Sequence, residues 1–341
     1  MSKKVVTLGE IMLRLSTPDF KRFIQADSLE VTYGGGEANV AAALCNYGLH
    51  GTFVTKVPDN PIGQSAINHL RRFGVDTQFI VRGGDRLGIY FLETGASMRA
   101  SQVIYDRSGA SISEARADEF DFDQILQDAV WFHTTGITPA LSDEAAALTE
   151  AALKAARAKG ITTSIDLNYR KKLWSKEKAR AVMTNLCQYV DICIGNEEDA
   201  DTTLGFKAAH TDVTKGELDL DGFKEVFKKM KEKFGFKFIA SSLRESHSAS
   251  DNGWSALVYD GTEFYHTKQY NIRIVDRVGS GDSFASGLIY GLISGMSMKE
   301  AAEFGVAASA LKHTIPGDMN HATLKEVQEL MKGDGSGRVQ R

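Results

Sequence analysis

The chain has 341 residues, with 40 Lys and Arg against 44 Asp and Glu, a formal net charge of −4, and 43% hydrophobic residues. This balance excludes collagen-like, mucin-like and disordered chains, and gives no general electrostatic reason to bind nucleic acid or anionic membranes. Three scattered cysteines, Cys45, Cys187 and Cys193, exclude a disulfide framework and a four-ligand zinc site.

No run reaches the ~18 apolar residues of a membrane span, and residues 1–7 lack a signal-peptide core. The expectation is a cytoplasmic protein. Residues 4–9 (KVVTLG) and 51–57 (GTFVTKV) read as buried strands, with an Ala-rich helix over 37–47 between them. Two stretches, 10–33 and 86–107, break the alternation of strand and helix. In the second, 87–93 (LGIYFLE) and 102–107 (QVIYDR) have hairpin spacing, which predicts a small sheet beside the main layer. Tyr105 and Arg107 are two apart and share a strand face, either to clamp an anionic ligand or as a solvent-facing edge pair.

From about residue 129, short β-branched runs alternate with helical patterns, as at 161–166, 190–195 and 236–241. That alternation predicts a parallel sheet with helices on both faces. Phe223, Val226, Phe227, Met230 and Phe234 recur at helical spacing opposite a lysine-rich face, marking one crossing helix. Residues 205–222 read as a surface insertion and 334–341 as a disordered tail.

The run Asp276-Arg277-Val278-Gly279-Ser280-Gly281-Asp282 leads straight into a helical pattern over 283–290. Glycines before a helix let successive N–H groups face one anion, and the helix dipole adds to the attraction. This reads as a phosphate cradle. Asp282, in the first turn, fits a dipole-favoured carboxylate or, with its proton affinity raised beside a phosphate, a general base.

These residues resemble the C-terminal signature Asp-Thr-x-Gly-Ala-Gly-Asp of the ribokinase-like (PfkB) carbohydrate kinases, with Arg277 in place of Thr and Ser280 in place of Ala. Gly34-Gly35-Gly36-Glu37-Ala38-Asn39-Val40-Ala41 resembles the family's N-terminal signature, and the resemblance covers residues 4–330. It implies a three-layer α/β/α sandwich with a mostly parallel central sheet and a small β-sheet lid. A single kinase domain over 1–333 follows, its lid formed mainly by 10–33 and 86–107.

Asp166-Leu167-Asn168-Tyr169-Arg170, with Leu173-Trp174, resembles a segment of the 2-keto-3-deoxygluconate kinase branch. Met12-Leu13-Arg14 stands where ribokinases grip neutral sugars with Asn-x-Asp. The resemblance therefore implies ATP-dependent phosphorylation of the C6 hydroxyl of 2-keto-3-deoxygluconate. Kinases for fructose, ribose or 5-keto-2-deoxygluconate are the alternative, followed by a non-catalytic sugar-acid sensor.

By resemblance, Asp282 catalyses with Gly279, Ser280 and Gly281. Gly34, Gly35, Asn39, Tyr90, Tyr105, Arg107, Arg170 and Asp282 touch the sugar acid, the two arginines offering guanidinium forks to its carboxylate. Asn168, Asn196, Ser242, Arg244, Gly279, Gly281 and His313 meet ATP, with Pro316-Gly317-Asp318 beside the adenine. A lone His at a helix end is also a common C-terminal cap. Glu198 and Asp199 organise Mg²⁺ through water, Asp199 being one methylene shorter than the family's Glu, and the family leaves room for a monovalent cation. A homo-oligomer joined through the lid, dimer or larger, is implied as well.

Overall fold

The computed structural model describes residues 2–207 and 220–333. The reading of 205–222 as an insertion falls largely outside them, its last three residues opening a helix, and the tail 334–341 lies wholly outside.

The chain begins β1 (Lys4–Leu8), β2 (Met12–Ser16), β3 (Glu30–Gly34), α1 (Gly36–Asn46), β4 (His50–Val57), α2 (Pro61–Arg71), β5 (Ile80–Arg82), β6 (Gly88–Glu93) and β7 (Gln102–Asp106). Next come α3 (Phe122–Ile125), β8 (Ala129–Thr135), α4 (Asp143–Ala158), β9 (Thr162–Asp166), α5 (Lys176–Leu186), β10 (Ile192–Ile194) and α6 (Glu197–Leu204). Then follow α7 (Leu220–Phe234), β11 (Phe238–Ser246), β12 (Asp251–Tyr259), β13 (Phe264–His266), β14 (Tyr270–Arg273), α8 (Ser280–Ile293), α9 (Met298–Lys312) and α10 (Leu324–Lys332).

The large sheet runs β13-β12-β11-β10-β9-β8-β1-β4-β5, with β14 also on β12. It is parallel from β11 through β5 and antiparallel from β11 to β14. Its middle strands are apolar and buried on both faces, as parallel strands under helices must be; Val5, Val6 and Leu8 are wholly buried. One face packs against α4, α5 and α7, the other against α1, α8 and α9. The periodic residues of α7 are buried as its spacing predicts, with Phe234 half-buried.

Helix α8 is apolar nearly all round and sits deep in the second layer. It lies very close to α9, because a Cβ on Gly287 or Gly291 would run into Gly305 or Ala301. That close approach fixes where the N-terminus of α8 points.

The stretches 10–33 and 86–107 supply a separate sheet, β3-β2-β6-β7, in which only β2 and β6 pair in parallel. Its inner face carries Met12, Tyr90 and Leu92, all buried. Its outer face is a different matter. Val31, Leu15, Phe91 and Ile104 stand in cross-strand register, with Val31 at 61% and Ile104 at 52% exposure.

Candidate active site

In a parallel α/β sheet the strand C-termini and helix N-termini collect along one edge, and a crevice forms there. Here the edges of β9, β10 and β11 and the N-termini of α1 and α8 surround a cavity of about 360 Å³, covered by the inner face of the small sheet.

Two helix starts meet at its floor. Asn39, one turn into α1, donates from Nδ2 to Asp282 Oδ2 at 2.7 Å and so bridges α1 to α8. Gly279 caps α8 with φ 81°, a left-handed conformation natural to glycine. The cradle is narrower than its motif suggests. Ser280 turns both its N–H, at 3.3 Å, and its Oγ, at 2.9 Å, back to the Arg277 carbonyl. Among the described residues the N–H groups of Gly281 and Asp282 have no such acceptor. A Cβ on Gly281 would meet nothing within 4 Å, so the cavity is open above these two donors.

Asp282 is pushed up to about 7, chiefly by its removal from water, against the pull of the Asn39 amide. Glu37, Asp318 and Arg170 have smaller effects. The protein itself therefore raises its proton affinity, with no phosphate required. Asp166, at the end of β9, is raised well above the usual carboxylate range by burial and by Asp199 and Asp282. Asp199 is raised by burial, opposed by the Tyr169 N–H that it accepts at 2.9 Å.

On the small-sheet side, Tyr90 and Tyr105 face each other across β6 and β7 with ring centroids 6.0 Å apart. The Arg107 guanidinium lies 5.3 Å from the Tyr105 ring, so these two residues do share a face. Arg107 also pairs with the buried Glu10. Deeper in, Arg14 bonds Asp276 at 2.6 Å and Asp318 at 2.8 Å, tying β2 to both C-terminal loops.

The pfkB family carbohydrate kinase model matches residues 2–324. The chain belongs to this family. A crystal structure of 2-dehydro-3-deoxygluconokinase from Thermotoga maritima is 50% identical and covers 97% of this chain and 100% of its own, with a TM-score of 0.93. A 2-dehydro-3-deoxygalactonokinase of Haloferax volcanii is 35% identical over 337 residues, 99% of each chain. A 5-dehydro-2-deoxygluconokinase of Clostridium perfringens is 26% identical, over 96% of this chain and 92% of its own. This pfkB chain is thus a sugar kinase with the ribokinase-like fold.

Most residues singled out by their resemblance to pfkB kinases come together on the cavity wall: Gly35, Asn39, Tyr90, Tyr105, Arg107, Asn168, Arg170, Asn196, Asp199, Ser242 and residues 279–282. Asn168 adopts φ 37°, which an Asn tolerates better than most residues. Four do not reach it. Gly34 lies beneath Asp318, whose carboxylate occupies the place of a Cβ, and Gly36 lines the cavity instead. Glu198 is solvent-exposed on α6, because Asp199 takes the inward N3 position of a capping box with Asn196. Arg244 projects into solvent from β11, and Arg277 joins Arg107 and Arg170 on the cavity wall in its place.

His313 is buried, 1% exposed, with its ring 4.7 Å from Trp254. It caps α9, and its carbonyl accepts the N–H groups of Val275 and Asp276 at 2.8 and 3.1 Å. It therefore anchors the loop entering the cradle rather than lining the cavity. Asp318 turns toward Tyr90 and Arg14.

Motif reading missed Asp166 and Arg277 as cavity residues, and named Asp318 only for the adenine. Asp166 carried a usable signal, a carboxylate closing a parallel strand, since ligands bind beyond such strand ends.

Proposed function

We propose that this kinase transfers the γ-phosphoryl group of ATP to the C6 hydroxyl of 2-dehydro-3-deoxygluconate (2-keto-3-deoxygluconate), giving the 6-phosphate and ADP. The observation that carries this reading is Arg170. It lines the cavity, and among the described residues no carboxylate lies within ion-pairing distance of it. Arg170 shares the cavity with Arg107, Arg277 and the carboxylates of Asp166, Asp199, Asp282 and Asp318, and as a permanently charged guanidinium outside ion-pairing range of all four it is free to meet an anionic substrate group. Arg107 adds to this: paired to Glu10, it still has a buried Nε with no acceptor.

Asp282 takes the proton of the attacking hydroxyl, with an affinity already near neutrality. The free N–H groups of Gly281 and Asp282 meet the charge that develops on the phosphoryl oxygens. No group of three or more metal-binding side chains occurs among the described residues. That suits Mg²⁺, which keeps several waters and is bound largely by substrate phosphates; Asp199 and Asp166 supply hard oxygens facing the cavity. When bound, Mg²⁺ neutralises phosphate charge. The small sheet acts as a lid that keeps water from the phosphoryl group. Free thiols and an ATP requirement fit a cytoplasmic setting.

The test is ADP release over a panel of 2-keto-3-deoxygluconate, its C4 epimer, 5-keto-2-deoxygluconate, fructose and ribose. The reading expects a 2-keto-3-deoxy acid to be used best, and a preference for fructose or ribose overturns it. Arg170→Leu is expected to lower kcat/KM for the acid by roughly tenfold to over a hundredfold, the loss of one charge-assisted contact. Neutral sugars should be nearly indifferent. Arg107→Leu is less clean, because it strands the buried Glu10.

The apolar outer face of the lid supports pairing with a second copy of this chain. Ile104→Glu is expected to shift the protein to monomer in light scattering. An unchanged mass, larger than monomer, would place the interface elsewhere.

A further inference from the structure

Arg277 stands where the family signature carries Thr, and its side chain has no part in the steps described above. Its carbonyl closes the turn into α8 by accepting the Ser280 N–H and hydroxyl. Its guanidinium is half-buried and lines the cavity with Gly279, Ser280, Gly281 and Asp282. Among the described residues no carboxylate lies within ion-pairing distance of it, and the side chain makes one hydrogen bond, from Nη2 to the Ala249 carbonyl at 3.0 Å. Asp276, its neighbour in the chain, is committed elsewhere. Oδ2 accepts from Arg14 at 2.6 Å and from the Gly317 N–H at 3.0 Å, and Oδ1 accepts the Val278 N–H at 3.0 Å. A guanidinium offers five N–H donors in a fixed fork, so most of those of Arg277 are uncommitted. Partial burial and the nearby Arg244 charge lower its proton affinity, against the smaller pull of Asp276. An anion brought into the cavity relieves both.

Two anions meet in this cavity, the acid end of the sugar and the phosphates of the nucleotide. Arg107 and Arg170 come from the lid and from the loop after β9, whereas Arg277 belongs to the same turn that presents the free N–H groups of Gly281 and Asp282. Its charge therefore joins the phosphate cradle. The anchor on Ala249 orients it without cancelling that charge, because a carbonyl is neutral. Ala249 lies in the turn between β11 and β12, and this turn is itself braced against the lid. The Ala249 N–H donates to the Ser97 carbonyl at 2.7 Å, and the Ser97 N–H donates to Ser250 Oγ at 2.8 Å, Ser97 being in the β6–β7 hairpin.

We propose that Arg277, oriented by the Ala249 carbonyl, binds the terminal phosphoryl group of ATP and stabilises its charge during transfer, a contact for which the Thr of the family signature has no charge. The proposal rests on ATP as the donor and not on which sugar accepts. In the transfer, the acceptor oxygen bonds the γ-phosphorus as the bond to the bridging oxygen breaks. The acceptor's proton passes to Asp282, and ADP leaves with the electron pair of the broken bond.

The test compares the binding of ADP with that of the non-hydrolysable β,γ-imido analogue of ATP, both with Mg²⁺, and measures kcat at saturating sugar. Arg277→Met keeps much of the side chain's length and removes its charge. Affinity for the triphosphate analogue should fall by roughly tenfold to over a hundredfold and kcat by a similar factor, while ADP affinity changes by less than about twofold. Arg277→Thr carries the same expectation with the residue that the family signature holds. Equal weakening of both nucleotides, or no weakening of either, overturns the proposal. Ser250→Ala loosens the same turn without touching the guanidinium, and should leave the ratio of the two affinities unchanged. A ratio shifted as in Arg277→Met shows Arg277 acting through the turn and overturns the contact. A wild type that binds neither nucleotide overturns the ATP assignment and the proposal with it, whereas wild-type binding of both leaves that assignment standing when Arg277 fails its own test.

Discussion

Asp282→Asn is expected to lower kcat by ~10²–10⁴, the range for loss of a positioned general base, while nucleotide affinity and fold survive. The substitution is nearly isosteric and keeps an oxygen for the Asn39 amide, now 2.7 Å away. Because the group is raised to about 7, kcat/KM should climb as pH rises through about 7 and level off above it. The variant should lose that dependence. Stability supplies an independent sign. A carboxylate whose affinity rises from 3.8 unfolded to about 7 folded makes the native state bind the extra proton, so stability falls as pH rises across that interval. Asp282→Asn should therefore unfold at a higher temperature than wild type at pH 8, with the gap closing toward pH 4. Near wild-type turnover would remove Asp282 from the chemistry, and no gain at pH 8 would show that its proton affinity is not raised.

Gly281→Val is expected to cost ~10²–10³ in turnover by blocking access to two backbone donors. Gly279 and Gly281 look alike in the motif, yet they fail differently. At Gly279 the positive φ and the Asp318 carbonyl exclude any Cβ, so Gly279→Val distorts the loop itself. At Gly281 φ is not in the left-handed region and space is open, so a valine folds there and its methyls enter the cavity. The diagnostic result is an unchanged melting temperature with a raised KM for ATP and a depressed kcat. Unaltered kinetics would move the cradle elsewhere.

These contrasts mark what a linear chain discloses. The cradle was legible because glycines followed by an apolar helix are a local signal, read within a dozen residues. The small sheet was legible because two stretches lacked the helices that parallel strands need. Pairings between distant segments were not. Arg107 looked like a free cation until folding brought Glu10, 97 positions earlier, against it. Glu198 and Asp199 are neighbours in the chain, and only the start of α6 decides which one turns inward. His313 became structural because Trp254, far away in sequence, covers it. Asp318 was visible as a residue but not as the shared partner of Tyr90 and Arg14, which lie 228 and 304 residues away.

The span of the Arg14 ion pairs also bears on how the molecule is made. Arg14 leaves the ribosome long before its partners Asp276 and Asp318, which are 262 and 304 positions behind it. Until they emerge, burying its guanidinium would leave a charge without compensation, so strand β2 stays hydrated through most of synthesis. The later segments that carry Asp276 and Asp318 set the roof in place. A chain cut short before residue 276 should hold a partly formed main sheet and an undocked small one, a target for proteolysis at residues 10–33 and 86–107. Catalytic competence thus arrives only after Asp318 has emerged, and a half-made kinase has no enclosed chamber in which to spend ATP.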